Sequence, residues 1–343
     1  MSPKIPNLTS DNKMEDNIND EIHNSILGIC IPTYNRANFL RENLNELLSF
    51  VKTYKLPVYI SDNASTDDTS EVVYTFRNFH EFTYYRRNDT NLGFSSNLNS
   101  VVLMAQSQYV WILGDDDLII GSTAYKVIEA IDEDFDLIFL NRKIFSDSKQ
   151  AVNVDRDLNI VRDNKYNSID HDKFLLDVGE LIGCMSSYVF KRKLWFGTES
   201  IKEESFLEFL HAKIILSNLA DSKIKLIANP IILTREGNSS FSSSRLVKNW
   251  FYDFPNTIYS LQNNFSIKSI RRALRSHGHL TYVVKGLQLA NEVNLQMGQI
   301  KNYILMNSTL NVFERIVVSL EFLFPKALIE VLMRTLKHIR LTR

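Results

Sequence analysis

Short apolar runs alternate with stretches of helical periodicity from Ile26 onward. Ile26–Pro32 reads as a strand, and Phe39, Leu40, Leu44, Leu47, Leu48 and Val51 recur behind it at helical spacing. Pro57–Ser61 predicts a second strand, with a helix opening near Thr66. Phe82–Tyr85 predicts a third, followed by a helix through Leu98, Val101, Val102 and Ala105. Tyr109–Leu113 predicts a fourth, followed by a helix capped by Ser122 and carried by Val127, Ile128 and Ile131. Asp136–Leu140 predicts a fifth strand. This alternation predicts an α/β fold with a mostly parallel sheet covered on both faces.

In such sheets ligands bind beyond the carboxyl ends of the strands, so functional residues should follow the apolar runs. The first run ends in Pro32-Thr33-Tyr34-Asn35-Arg36 and the second in Ser61-Asp62-Asn63-Ala64-Ser65. The third ends in Arg86-Arg87-Asn88 and the fourth in Gly114-Asp115-Asp116-Asp117. Polar and charged side chains therefore gather at one edge. Residues 146–175 read as a polar linker or flap, Leu181–Phe190 is apolar again, and Phe206–Leu219 reads as a helix. From about Phe241 the chain reads as helical and more basic, with Arg245, Lys248, Lys268, Arg271, Arg272 and Arg275. The expected organisation is a polar tail (1–24), an alternating α/β half (25–145), a second half that opens with the polar stretch (146–240) and a C-terminal helical region (241–343).

Composition narrows the function. A formal net charge of -1 excludes a dedicated nucleic-acid binder, which carries a basic excess. Two cysteines are too few for a disulfide framework, and Cys30 sits in an apolar run, consistent with a reducing cytoplasm. The acidic, Asn-rich start lacks the apolar stretch of a secretory signal. No Gly-x-Gly-x-x-Gly turn follows any strand and no Gly-Lys-Ser/Thr loop occurs, which removes dinucleotide and Walker-type chemistry.

Asp115-Asp116-Asp117 is the strongest chemical signal. Three adjacent carboxylates repel one another and are costly to hold together without a cation. Mg²⁺ takes carboxylate and phosphate oxygens and bridges one or two carboxylates to a substrate diphosphate. A solvated acidic turn is the plainer alternative, and the position behind a buried strand favours the metal. Asp62 and Asn63 fit either a turn or a nucleotide contact. Thr33, Tyr34 and Arg36 form the first strand-to-helix turn, where amides and a guanidinium can meet a nucleotide. Asn91-Leu92-Gly93 opens the third helix with Asn97 one turn in, and Gly93 lets backbone come close to a ligand.

As a set, Ile-Pro-Thr-Tyr-Asn-Arg, Ser-Asp-Asn-Ala-Ser-Thr-Asp, Asn-Leu-Gly with Asn97, and Gly-Asp-Asp-Asp resembles glycosyltransferase family 2, of the GT-A fold, over residues 26 to about 145. The resemblance implies transfer of a sugar from a nucleoside diphosphate sugar to a saccharide acceptor, with Mg²⁺ or Mn²⁺ and with inversion. It assigns Asp62 to the base and Asp116 to the metal, with Asp117 as a second metal candidate. Asp115 and Asp117 flank the ribose and diphosphate, and Pro32, Thr33, Tyr34, Arg36, Asn63, Arg86, Asn91, Gly93 and Asn97 line the donor site. Gly114 stands where the family's commoner Asp-x-Asp-Asp form has its first acid. Met185–Trp195 and Arg235–Phe241 resemble bacterial O-antigen side-branch transferases, the abequosyltransferases in particular.

Family 2 enzymes place an acidic base at the start of a helix in the second half. The matching segment here is Phe206–His211, and the usual Glu-Asp pair is absent, which leaves Glu208 and His211, three apart on one helical face. His277-Gly278-His279 lacks a third ligand and reads as a loop. After Pro325, Leu328, Leu332, Leu336 and Ile339 share a face, while Arg334, Lys337 and Arg340 lie elsewhere. Such a helix can pack on its own domain or lie on an anionic bilayer, presenting the enzyme at the inner face of the cytoplasmic membrane to a lipid-linked acceptor. Two rivals stand beside this reading. A sugar-phosphate nucleotidyltransferase would need a Gly-rich basic triphosphate loop, and a catalytically inactive scaffold of a polysaccharide-assembly complex would not need an intact acidic triplet.

Overall fold

A computed structural model describes residues 25–145, 152–154, 157–196, 208–235 and 249–274. The expected tail, residues 236–248 after Arg235, the His277-Gly278-His279 loop and the amphipathic stretch after Pro325 lie outside the described residues. The chain divides into two compact units, Met1–Lys165 with Met185–Phe206 and Ser222–Arg235, and Tyr166–Cys184 with Leu207–Asp221 and Glu236–Arg343.

The first unit opens with the expected alternation: β1 (Leu27–Thr33), α1 (Ala37–Tyr54), β2 (Val58–Asp62), α2 (Thr69–Arg77), β3 (Thr83–Arg87), α3 (Phe94–Met104) and β4 (Tyr109–Ile112). All seven residues of β1 and all five of β2 are buried, as expected of strands covered on both faces. Leu40, Leu44, Leu47 and Val51 of α1 join Ile29, Ile31, Val58 and Ile60 in one apolar core. The helix α1 ends at Lys55, whose left-handed conformation (φ 50°) lets its amide bond back to Lys52 and Val51 carbonyls.

Next come a two-residue β5 (Leu118–Ile119), α4 (Gly121–Asp132) and β6 (Leu137–Phe145). Ile120, not Ser122, occupies the N-cap of α4, and no side chain caps it; Ser122 lies inside the first turn. β6 runs five residues past the expected end at Leu140, into the polar Asn-Arg-Lys segment. The strands β7 (Val152–Val154) and β8 (Asn164–Tyr166) follow, the latter where the chain passes from one unit to the other. The unit is completed by β9 (Tyr188–Lys191) and β10 (Ile224–Arg235).

The strand order is β3-β2-β1-β4-β9-β6-β10-β5, with β7 beside β6. Pairs β1–β2, β2–β3, β1–β4 and β6–β10 are parallel, so the sheet is mostly parallel as expected. The short strands β5 and β7 pair antiparallel with β10 and β6, and β9, from far downstream, runs antiparallel between β4 and β6. The Tyr188-Val189-Phe190 run is fully buried there, and Lys191 at its end pairs with Asp134 and Asp136. β10 slips register between Ile227 and Ile232, where Pro230 has no amide to give to the ladder.

Within the stretch expected as a polar linker or flap, the described residues Asp157 and Leu158 are tied to β6. Asn141, fully buried, accepts from the Leu158 amide and donates to the Leu158 and Ala228 carbonyls, and Arg142 pairs with Asp157 at 2.7 Å. These bonds pin a polar segment without needing an apolar stripe.

In the second unit, α5 (His171–Val178) buries Phe174, Leu175 and Val178 along one face. Then come α6 (Leu210–Ser217), a π-helical turn over Asn249–Asp253, α7 (Phe254–Tyr259) and α8 (Ile267–Ala273). Phe209, Trp250 and Phe254 pack as an aromatic cluster, with ring centroids 5.0–5.4 Å apart. Ser266 caps α8 by accepting from the Ser269 amide. No described helix is long and apolar enough to cross a membrane.

Candidate active site

The carboxylates of Asp115, Asp116 and Asp117 sit in a turn directly after β4. Leu113 still bonds to the β1 carbonyl of Cys30, and at Gly114 the chain leaves the sheet. Asn43, buried on α1, donates to the carbonyls of Gly114 (3.0 Å) and Asp117 (2.5 Å). The Ser186 hydroxyl accepts from the Gly114 amide at 2.9 Å and donates to the Asp117 carboxylate at 2.5 Å. A Cβ at Gly114 would stand 2.9 Å from an Asp117 carboxylate oxygen and 3.3 Å from one of Asp116. Glycine here is what lets the turn close over its own carboxylates.

Each carboxylate has distinct partners. Asp115 accepts from the Thr33 hydroxyl at 2.8 Å and pairs with Arg36 Nε at 3.0 Å. Asp116 pairs with Arg36 Nη2 at 2.5 Å. Asp117 also receives the Arg235 backbone amide and feels the charge of Arg142. Burial first, then the charge of Asp116, pushes the Asp115 carboxyl well above the usual carboxylate range; Arg36 and Thr33 pull it back. Burial and Asp116 push Asp117 up in the same way, opposed by Ser186, Arg142 and the Arg235 amide. The triplet is thus a site of concentrated negative charge in which cations and donors offset repulsion only in part.

This donor set fits a hard divalent cation. Its oxygens are carboxylates, the Gly114 turn keeps them close, and Arg36 already stands in as a cation on two of them. Among the described residues no three His, Cys, Asp or Glu side chains converge as a complete protein-only metal cage. Mg²⁺-type sites use one or two carboxylates and complete the shell with phosphate oxygens and water.

The other predicted donor residues divide by burial. Asp62 is fully buried; its oxygens accept from the Ser65 amide (2.8 Å) and the Tyr85 hydroxyl (2.7 Å), with Arg87 Nε 3.7 Å away. Burial and the bond to Asp62 push the Tyr85 phenol well above its ordinary value. Asn63 donates to Asn91 and the Gly93 carbonyl and accepts from the Leu92 amide and Asn88. Asn97 donates to the carbonyls of Thr33 and Ser61 and accepts from Ser61 and Asn88. Asn63 and Asn97 therefore stitch the ends of β1 and β2 to the start of α3. Gly93 has φ +82°, and a Cβ there would meet nothing within 4 Å, so the backbone angle is what requires glycine. Pro32 ends β1 in the sheet, Arg86 is exposed at the end of β3, and Tyr34 keeps 41% of its surface in solvent.

Several residues at this edge escaped the sequence reading. Asp67 accepts from the Ala37 amide and so caps α1 from the neighbouring loop. Its carboxyl is held below its ordinary value, because bonds from Thr69 and from the Ala37 and Thr69 amides outweigh partial burial. Asn43 and Ser186 were signalled only as polar residues inside apolar patterns. Arg142 and Arg235 follow the apolar runs of β6 and β10, the same rule that found the triplet.

Glu208 and His211 belong to the second unit. The helix α6 begins at Leu210, so Glu208 lies in the turn before it, not on a shared helical face. Glu208 is buried, with 8% exposure, which rules out a surface acid. Burial pushes the His211 imidazole down to about 4, against the opposing pull of the Ile182 and Gly183 backbone. Near neutral pH this imidazole is uncharged and reluctant to take a proton.

Comparison with known proteins agrees with this architecture. Residues 28–194 match the sequence model of the glycosyl transferase family 2. Abequosyltransferase RfbV of Salmonella typhimurium is 30% identical over 256 residues, which span 71% of this chain and 77% of that protein. The poly-beta-1,6-N-acetyl-D-glucosamine synthase of Staphylococcus epidermidis is 28% identical over 109 residues, 31% of this chain and 26% of that one. Among solved structures, S. aureus TarS 1-349 in complex with UDP-GlcNAc superposes with TM-score 0.55 at 15% identity, covering 86% of this chain and 91% of that chain. Mannosyltransferase PcManGT from Pyrobaculum calidifontis, in complex with GDP-Man and Mn2+, superposes with TM-score 0.50 at 15% identity, covering 88% of each. At such identities the structural likeness establishes the fold.

Proposed function

The chain belongs to glycosyltransferase family 2, and on that premise we propose that it moves a sugar from a nucleoside diphosphate sugar to a hydroxyl of a saccharide acceptor, with a divalent cation and inversion at the anomeric carbon. The observation that carries the proposal is the carboxylate triplet at the carboxyl end of β4, with Asp115 and Asp117 buried and Asp116 partly open, closed by Gly114 and partly neutralised by Arg36. The likeness to an abequosyltransferase supports synthesis of a bacterial O-antigen or related polysaccharide, and a lipid-linked acceptor at the cytoplasmic membrane is consistent with it.

Asp116, with Asp117, would hold Mg²⁺ or Mn²⁺ against the donor diphosphate. When bound, the ion supplies positive charge that offsets the negative charge building on the departing diphosphate. The protein side chains do the rest. Asp62, behind β2, is assigned to the nucleobase, and its bonds from Ser65 and Tyr85 fix the carboxylate in one orientation. Thr33 and Arg36 orient Asp115 toward the ribose side. The acceptor oxygen attacks the anomeric carbon as the bond from that carbon to the diphosphate oxygen breaks. The hydroxyl proton would pass to a base, for which Glu208 and His211 are the two candidates, His211 as the uncharged imidazole that burial favours. The products are the lengthened saccharide and a nucleoside diphosphate.

A panel of nucleotide sugars incubated with the full chain and Mn²⁺ tests this reading. Release of a nucleoside diphosphate from one donor is the expected outcome. Release of pyrophosphate from a nucleoside triphosphate and a sugar phosphate would assign the chain to nucleotidyl transfer instead, and inertness toward every donor and acceptor would assign it to a scaffold.

A further inference from the structure

Arg36 is a cation already seated on two carboxylates of the turn. Its Nη2 lies 2.5 Å from Asp116 Oδ2, its Nε lies 3.0 Å from Asp115 Oδ1, and its side chain is only 12% exposed. The guanidinium also stands over the Phe39 ring, 4.8 Å from the centroid, so it rests on an apolar support one turn along α1. Three acidic side chains face one guanidinium at the turn, so acidic groups outnumber the cation there. A divalent ion is attracted to that excess, but Arg36 already holds an Asp116 oxygen, and two cations sharing one carboxylate repel. A diphosphate brings about two negative charges of its own and offers the guanidinium oxygens in the bidentate geometry it prefers.

We propose that Arg36 is an exchange cation: it holds Asp116 in the donor-free protein and passes to the donor diphosphate when metal and donor bind together. This rests on the reading that Asp116 is a metal ligand, and adds the order in which the charges assemble. Arg36 keeps the triplet folded before the donor arrives and weakens binding of the metal by itself. The ion is thereby drawn in as a complex with the diphosphate. Arg36 acts as a positioning residue for Asp116 and as a binding group for the donor.

The test is Mn²⁺ binding to the full-length chain without nucleotide, followed by electron paramagnetic resonance, for the wild type, Arg36→Met, Arg36→Lys and the double variant Arg36→Met/Asp116→Asn. Thermal melting confirms that each is folded. Removing one positive charge at this distance should tighten Mn²⁺ binding by about tenfold or more in Arg36→Met. Arg36→Lys, which keeps the charge, should stay near the wild type, and the double variant should lose the gain. Equal or weaker Mn²⁺ binding by folded Arg36→Met, with binding still dependent on Asp116, would overturn the exchange while leaving the metal site standing. Binding that persists undiminished in the double variant would place the metal elsewhere and overturn the underlying reading as well. Should Arg36→Met fail to fold, Arg36→Gln takes its place, and equal or weaker Mn²⁺ binding by that folded variant would overturn the exchange in the same way.

Discussion

At the residue scale, polar side chains at the sheet edge do two different jobs that the sequence writes in the same letters. Asp115, Asp116 and Asp117 concentrate charge, whereas Asn63 and Asn97 spend their hydrogen bonds on their own backbone neighbours. All follow apolar runs, so position alone could not separate them. Burial also decides the charge of His211. His211 folds as a neutral, buried imidazole whose pKa is depressed from 6.5 to about 4, so the unfolded chain binds the extra proton first as pH falls. Stability from this group is present above the unfolded value near 6.5 and is lost as pH falls from there toward 4. The full difference is on the order of 3 kcal/mol. Urea unfolding of the wild type and His211→Gln at pH 7 and pH 4.5 should show a smaller loss of stability in the variant. Parallel losses would mean that His211 is not buried uncharged.

At the element scale, the site depends on ties between segments far apart in sequence. Asn43 on α1 holds two carbonyls of the carboxylate turn, 71 and 74 residues away, and Ser186 holds the same turn from just before β9. Asn43→Leu should leave those carbonyls unsatisfied in a buried site, at a cost of about 1–3 kcal/mol. Chemical denaturation measures the cost, and an unchanged midpoint would remove Asn43 from the scaffold of the site. The first four strands and their helices were legible because each is a local pattern, period two or period 3.6, bounded by turn residues. The place of β9 was not legible. Leu181–Phe190 reads only as an apolar run, and nothing local says that its end enters the sheet antiparallel between β4 and β6. The ties of Asp157 and Leu158 to Arg142 and Asn141 of β6 were not legible either, because polar bonds of this kind leave no hydrophobic period.

At the scale of the whole molecule, a family 2 glycosyltransferase sheet gathers its acidic turn, its Asp62 loop and the start of α1 at the carboxyl ends of neighbouring parallel strands. The parallel register of β2, β1 and β4 is what makes this possible, since it brings strand ends distant in sequence to one edge. The buried carboxylates are unfavourable for stability by themselves, and a function that supplies a cation and a diphosphate gives that cost a reason. The central claim is therefore metal-dependent transfer through the triplet. The most direct measurement is nucleoside diphosphate release from the preferred nucleotide sugar by the wild type and Asp116→Ala, each with Mn²⁺ and with excess EDTA, alongside thermal melting. The account predicts release only by the wild type with Mn²⁺, with both proteins folded; full wild-type release in EDTA, or undiminished release by folded Asp116→Ala, would contradict it.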